Sequence, residues 1–358
     1  MIPARHTDVV RAMLFDEFGG PLEIRSVPDP RPPADGVVVA VHATGLCRSD
    51  WHGWAGHDDG IAVPHVPGHE FVGVVAAVGA DVTRWAVGDR VTTPFVCGCG
   101  GCEWCVAGEA QVCPDQTQPG FTHWGSFAEF VSLHAADANL VAVPATVDDA
   151  AAAGLGCRFA TAYRALTDRA RIRPGEWLTV VGAGGVGLSA VQIGAALGAR
   201  VIAVDREPAA LALAGRLGAE HTVTADGSGR DVADQIHELT GGGSHVAVDA
   251  VGAPATCAEA IHSLRRQGRH LQVGLLPNVA GHPRVPMDRV IAWELDILGS
   301  HGMASADYPG MLALIEAGVL RPQELVERIV GLSEGAGLLA TLADAPLSGV
   351  TLIDPRRM

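Results

Sequence analysis

The chain has 358 residues, 48% of them hydrophobic and only 5% aromatic, which is enough for two domains with cores of Val, Ala and Leu. A formal net charge of −15, carried on a chain with no lysine and only scattered arginines, argues against nucleic acid as a partner, because a phosphate-binding surface needs a basic patch. No uninterrupted apolar run approaches about 18 residues, and the opening MIPARHTDVVRAM lacks the apolar stretch of a signal peptide, so no membrane partner and a reducing, cytoplasmic setting are expected.

From residue 10 to 45, GPLEIRSVPDP and GVVVAVHATGLC place short Val-rich runs between Pro and Gly, the pattern of strands and turns. FVGVVAAVGADVTRWAVGDRVTTPF continues that style, so a sheet-based, barrel-like first domain is expected, with no long helix before about residue 147. The texture then changes. TVDDAAAAGLGCRFATAYRALTDRA opens on a Thr–x–x–Asp capping signal at Thr146 and runs on at helical period. EWLTVVGAGGVGLSAVQIGAALGARVIAVDRE reads as strand, glycine turn, helix and second strand. HVAVDAVG and GRHLQVGL are two further strand candidates, alternating with helical patterns at 229–240 and 254–265. That alternation predicts a parallel, doubly wound sheet. The final sixty or so residues mix strands and short helices, and their texture leaves open whether they rejoin the first domain.

VVGAGGVG sets Gly182, Gly184 and Gly187 at G-x-G-x-x-G spacing, with Gly185 and Val186 between them, after an apolar strand and before a helix. Such glycines permit a tight turn and close approach of a dinucleotide pyrophosphate to the helix N-terminus. Asp205 closes the next strand, where a carboxylate can accept from the adenosine ribose hydroxyls and repel a 2′-phosphate, favouring NAD. Arg206 beside it keeps NADP use open.

CGCGGCEWCVAGEAQVC, residues 97–113, holds five of the eight cysteines. Cys99, Cys102, Cys105 and Cys113 stand at C-x2-C-x2-C-x7-C, close enough in sequence to surround one zinc tetrahedrally and hold the loop, with no open position for chemistry. Cys97 is a bystander thiol. A looser set comprises Cys47, His69 with Glu70 in PGHE, and Cys157. Spacing cannot assemble it, but a Cys2His shell would leave the fourth position that catalytic zinc requires, and Asp50 is placed to orient the histidine.

Taken together, GLCRSDWHGW, PGHEFVGVV, the four-cysteine loop, GCRFATAYRAL and VGAGGVG, in this order, make the chain resemble the zinc-dependent alcohol dehydrogenases of the medium-chain dehydrogenase/reductase family over nearly its whole length. The resemblance implies a GroES-like, β-rich catalytic domain from residues 1–155 and 296–358, with a Rossmann-type NAD-binding domain, 156–295, inserted between them. It implies Cys47, His69 and Cys157 as catalytic zinc ligands, Glu70 as an alternate ligand, Asp50 as the carboxylate holding the histidine, and Ser49 and His52 as a proton relay. Arg48 matches a pyrophosphate contact. Trp54 and Phe95 match pocket positions, and Trp124 is placed near them. A narrow apolar pocket of that kind favours alcohols and aldehydes with apolar or aromatic side chains over sugars. Where the family often carries a second pyrophosphate arginine near the C-terminus, this chain has Val350, in SGVTLIDP.

The expected protein is therefore an α/β, NAD-dependent, zinc-dependent oxidoreductase with two zinc ions per chain, acting on a small alcohol, aldehyde or ketone. By family likeness it forms a homodimer or homotetramer, with RHLQVGL and LDILGS as contributors to the subunit contact. A specialised formaldehyde or aryl-alcohol dehydrogenase, or a biosynthetic carbonyl reductase, is the close alternative. A non-catalytic, zinc-stabilised dinucleotide-binding protein is the remote one, and it leaves the second metal set and the relay unexplained.

Overall fold

The computed structural model describes residues 9–225, 232–276, 284–342 and 349–357. Its strands are β1 (Val9–Leu14), β2 (Glu23–Pro28), β3 (Val37–Leu46), β4 (Phe71–Val78), β5 (Arg90–Thr92), β6 (Phe130–Leu133), β7 (Val141–Ala142), β8 (Trp177–Val181), β9 (Arg200–Asp205), β10 (His221–Thr224), β11 (Ser244–Asp249), β12 (Leu264–Gln272), β13 (Asp296–Gly299), β14 (Val326–Val330) and β15 (Val350–Ile353). They form two large sheets and one small ribbon, β1 with β2.

The first large sheet runs β14-β15-β3-β4-β5-β7, with β6 also on β3. The long Val-rich β3 is its centre because its side chains are buried along nearly the whole strand, Val37, Val38, Val39 and Val41 among them. Here the question left open by sequence texture is answered: β15 pairs antiparallel with β3, Thr351 opposite Leu46, so the C-terminal segment completes the N-terminal sheet.

The second sheet has the order β10-β9-β8-β11-β12-β13, every pairing parallel. Strands β8, β9 and β11 are almost entirely buried, which explains why WLTVV, RVIAVD and SHVAVD read as continuous apolar runs. The order reverses between β8 and β11, the place where doubly wound sheets bind ligands. One apolar core, including Val72, Leu155, Leu178, Leu188 and Leu352, continues from the first sheet into the second.

Some local expectations shift. The helix after residue 147 is capped by Asp148, whose Oδ1 accepts from Ala151 N at 2.7 Å. Thr146 lies two residues too early and instead donates to Glu316 Oε1 at 2.7 Å. The expected boundary after residue 295 falls just before β13, which is hydrogen-bonded into the parallel sheet. Within the expected 254–265 helix, the turns end at His262 and β12 begins at Leu264. In the 229–240 pattern the helix is Val232–Thr240, and residues 229–231 lie outside the described ones. Of the two strands expected at a subunit contact, β12 is interior and only β13 is an edge.

Candidate active site

Three chain segments build the site. At the end of β3 the chain turns into a short helix, Arg48–Trp54, with Cys47 as its N-cap. His69 and Glu70 immediately precede β4. Cys157 and Arg158 lie on a widened π-helical turn, Leu155–Phe159, a distortion often found where side chains must be re-aimed. These segments bring one ligand atom each from Cys47, His69 and Cys157 within 4.8 Å of one another.

The order around this trio comes from Asp50, which is 1% exposed. Its Oδ2 accepts from Cys47 N at 2.9 Å, closing the first turn of the helix on itself. Its Oδ1 accepts from Gly68 N at 3.0 Å and from His69 Nδ1 at 2.8 Å. With Nδ1 committed as donor, Nε2 is the ring's lone-pair nitrogen, and it is buried with no hydrogen-bond partner. An orphaned imidazole nitrogen facing two thiols is a poor arrangement unless a cation takes the lone pair, so these residues fit a metal.

Protonation behaves accordingly. The Cys47 thiol is brought well below its ordinary value, first by a hydrogen bond from Cys157 and then by His69 and Arg158, against the cost of burial. The same shared proton drives Cys157 upward. Burial opposes charge on His69, but Asp50 and Cys47 outweigh it and hold its pKa above the usual imidazole range, so Nε2 is a strongly basic atom toward a proton or a metal ion alike.

Glu70 is fully buried and does not face the trio alone. Arg158 donates from its backbone N to Oε1 at 2.6 Å and from Nε to Oε2 at 2.7 Å, and its Nη2 pairs with Oε2 as well. Ser49 Oγ is 3.8 Å from Cys47 Sγ. His52, half-buried, meets His57 with Nδ1 atoms 3.0 Å apart. Around His69, the Phe121 ring lies 5.2 Å away and Phe95 6.0 Å away, with His301 4.9 Å beyond Phe95.

Trp54 packs with Phe15, Ile61 and Phe121, its indole N–H bonded to Gly20 O at 2.9 Å. Trp124 is 40% exposed, donates to Pro64 O and lines a different cavity of about 210 Å³ with Val10, Val27 and Phe130. It is not brought to the trio. Phe121 and His301 are site neighbours with no motif of their own. The signal for Phe121 was its place in an aromatic-rich FTHW stretch beside Trp124.

In the second sheet, the glycine turn follows β8. Gly182 has φ +95°, and a Cβ there would meet Val251 at 2.5 Å. A Cβ on Gly187 would lie 1.7 Å from Gly182 O, so only glycine lets the helix Gly185–Ala196 approach its strand. At Gly184 a side chain would project into open space, the room a pyrophosphate needs beside the helix N-terminus. Val186 follows in the first turn. Asp205, at the end of β9, pins the turn by accepting from Ala183 N at 2.6 Å and Glu207 N at 2.9 Å. Arg206 and Arg48 are exposed.

Cys99, Cys102, Cys105 and Cys113 also bring their sulfurs within 4.8 Å of one another, as a second group distinct from the trio. All eight cysteines are free, so no disulfide staples this loop. Backbone N–H groups of Gly101 and Cys102 lower the Cys99 thiol to about 7, whereas burial raises Cys105 to about 12. Cys97 stays outside the quartet. Its thiol donates to Pro94 O at 3.4 Å, and burial lifts its pKa to about 11.

Comparison with known proteins identifies the family. Residues 33–145 match the alcohol dehydrogenase GroES-like domain and residues 185–317 the zinc-binding dehydrogenase family. An alcohol dehydrogenase of Rhizobium meliloti is 37% identical over 81% of this chain and 83% of its own length. One from Moraxella sp. is 38% identical over 75% and 78%. The alcohol dehydrogenase of Aeropyrum pernix superposes with a TM-score of 0.86 at 33% identity, covering 96% of this chain and 100% of that one. The chain thus belongs to the zinc-dependent alcohol dehydrogenase family of the medium-chain dehydrogenase/reductase superfamily, as an NAD-dependent enzyme of that class.

Proposed function

We propose that the chain interconverts primary or secondary alcohols bearing apolar or aromatic side chains with their aldehydes or ketones, using NAD and a zinc held by Cys47, His69 and Cys157. The carrying observation is the buried, unpartnered Nε2 of His69, aimed at two thiols while Asp50 holds the other ring nitrogen. When bound, zinc supplies Lewis acidity that lowers the pKa of an alcohol, and NAD accepts the hydride.

The chain's own residues do the rest. Asp50 fixes the His69 tautomer and, through Cys47 N, the direction of the first thiolate. Ser49, with its hydroxyl beside the Cys47 thiol, accepts the substrate proton, and His52 carries it outward. His57, in contact with His52 Nδ1, extends that path. Phe95 and Phe121 exclude water from the reacting end and select apolar substrates. Arg48 supplies a positive charge to the cofactor pyrophosphate, and Asp205 favours NAD over NADP at the adenosine ribose. The cysteine quartet holds a second, structural zinc. The edge strand β13 is the candidate subunit contact.

Metal analysis of the wild type and Cys47→Ala, with NAD-linked turnover on benzyl and aliphatic alcohols, tests this reading. Two zinc ions per chain falling to one, with turnover lost and circular dichroism retained, is the expected result. One zinc in both proteins, or undiminished turnover without Cys47, overturns it.

A further inference from the structure

Arg158 is 6% exposed and reaches from the π-helical turn to three places at once. Its Nε and Nη2 face Glu70, its Nη1 donates to Leu46 O at 2.9 Å, and its Cδ and Nη1 lie against the start of the helix Gly185–Ala196. A Cβ on Gly185 would sit 2.5 Å from Arg158 Cδ and 3.2 Å from Nη1. Gly185 is not one of the three glycines of the G-x-G-x-x-G spacing, so the approach of Arg158 explains a glycine that the fingerprint does not require.

Val350 lies on the other side of the same spot. It lines one small cavity of about 10 Å³ with Arg158 and Ser189, and β15 pairs with β3 up to Leu46, whose carbonyl Arg158 occupies. The position that lacks an arginine on β15 is thus next to a guanidinium delivered from residue 158.

The guanidinium already stands opposite Glu70, and its Nη1 also faces the start of the helix. The N-terminus of a helix is its positive end, and a buried ion pair on average returns no more than its desolvation costs. Glu70 supplies one negative charge, taken up by Nε and Nη2, while Nη1, which also holds Leu46 O, is the guanidinium nitrogen nearest Gly185. A pyrophosphate at the glycine turn brings two negative charges to this point.

We infer that Arg158 takes the place of the missing arginine at position 350 as the buried cation that holds the dinucleotide pyrophosphate, with Glu70 as the strut that keeps it against Gly185. This rests on NAD binding at the glycine turn and deepens that reading by assigning a specificity-determining contact. It also gives Glu70 a second task, because a carboxylate held on both oxygens by Arg158 is restrained from swinging toward His69.

Arg158→Met leaves Glu70 buried without its partner, so the test pairs it with Glu70→Gln, which removes both charges together. NAD affinity is read by calorimetry on the full chain, alongside zinc content and melting temperature. The double variant should bind NAD about tenfold more weakly or worse while keeping both zinc ions, and adding Val350→Arg should recover most of the loss. An NAD dissociation constant within twofold of wild type in the double variant overturns the inference, as does failure of Val350→Arg to recover any affinity. If the double variant does not fold, Arg158→Lys decides: retained charge should keep NAD within about threefold even as the melting temperature drops, and a tenfold loss overturns the inference. A wild-type chain that binds neither NAD nor NADP defeats the cofactor reading itself, an outcome separate from an unchanged variant of a binding wild type.

Discussion

Replacing Asp50 by Asn changes one atom and separates the positioning of the ligand set from its packing. The carboxylate accepts three hydrogen bonds, from Cys47 N, Gly68 N and His69 Nδ1. An amide can serve these donors in only one way that keeps two of them, with its oxygen toward Gly68 and His69 and its NH2 against the Cys47 N–H 2.9 Å away. One bond is then lost and two buried donors oppose each other, a cost of about 1–3 kcal/mol in stability. The bond to His69 survives but loses its charge, so Nε2 becomes a weaker ligand. Changes to such supporting partners typically cost about 10–100-fold in metal affinity, equivalent to ~1.4–2.8 kcal/mol. Asp50→Asn should therefore release one zinc per chain to a competing chromogenic chelator at 10–100-fold lower chelator concentration, while the second zinc stays with the cysteine quartet. Denaturant unfolding of the metal-loaded protein measures the stability cost independently. A variant whose more labile zinc is held within twofold of the wild-type affinity would refute the argument that Asp50 sets the basicity of His69.

Gly187→Ala should cost about 3 kcal/mol or more and abolish NAD binding, since its Cβ would fall 1.7 Å from Gly182 O; a denaturant midpoint within error of wild type would contradict this. Cys102→Ser should remove one zinc and lower the melting temperature while the other zinc and the Cys47 site persist, which elemental analysis and calorimetry report. His123 gives a pH signature. Burial brings its pKa down to about 4, against about 6.5 in an unfolded chain, so its ring stays neutral in the fold while the unfolded chain takes up a proton. The sign follows: stability is whole above pH 6.5 and declines as pH falls toward 4, by up to ~1.4 kcal/mol per pH unit. His123→Gln should flatten the loss between pH 7.5 and 5 by about 1–2 kcal/mol in denaturant titrations.

What could be read from sequence was what is local in the chain. The glycine turn, its flanking strand and helix, and Asp205 all lie within one strand–helix–strand unit, and the quartet of cysteines spans fifteen residues, so spacing alone exposes both. Cys47 follows one strand, His69 precedes another and Cys157 sits within a helical turn, and only resemblance to a family joined them. Arg158 stands beside Cys157 in the sequence, yet nothing in spacing pairs it with Glu70, 88 residues earlier. Phe121 carries no periodic signal because it belongs to a loop that is placed by tertiary packing against His69. Trp124, expected near the pocket from the family resemblance, points its indole at Pro64 O, since the chain turns between it and Phe121. The helix cap moved from Thr146 to Asp148 because the structure needs an extended residue immediately before Asp149, and Asp148, with ψ 167°, is that residue.

The pairing of β15 with β3 carries a consequence for biosynthesis. Leu46, the residue before the first thiol of the candidate metal site, acquires its neighbour Thr351 only after about 300 further residues have been made. The parallel sheet, by contrast, is encoded in one uninterrupted stretch from Trp177 to Gly299 and can fold as soon as that stretch leaves the ribosome. The early strands must therefore wait with an unpaired edge on β3, next to Cys47, while the dinucleotide fold forms behind them. In the cell, that waiting edge is where oxidation of Cys47 or strand-to-strand aggregation would strike a nascent chain, and a ribosome stalled before Val350 would release a chain with a folded cofactor domain and an open catalytic sheet.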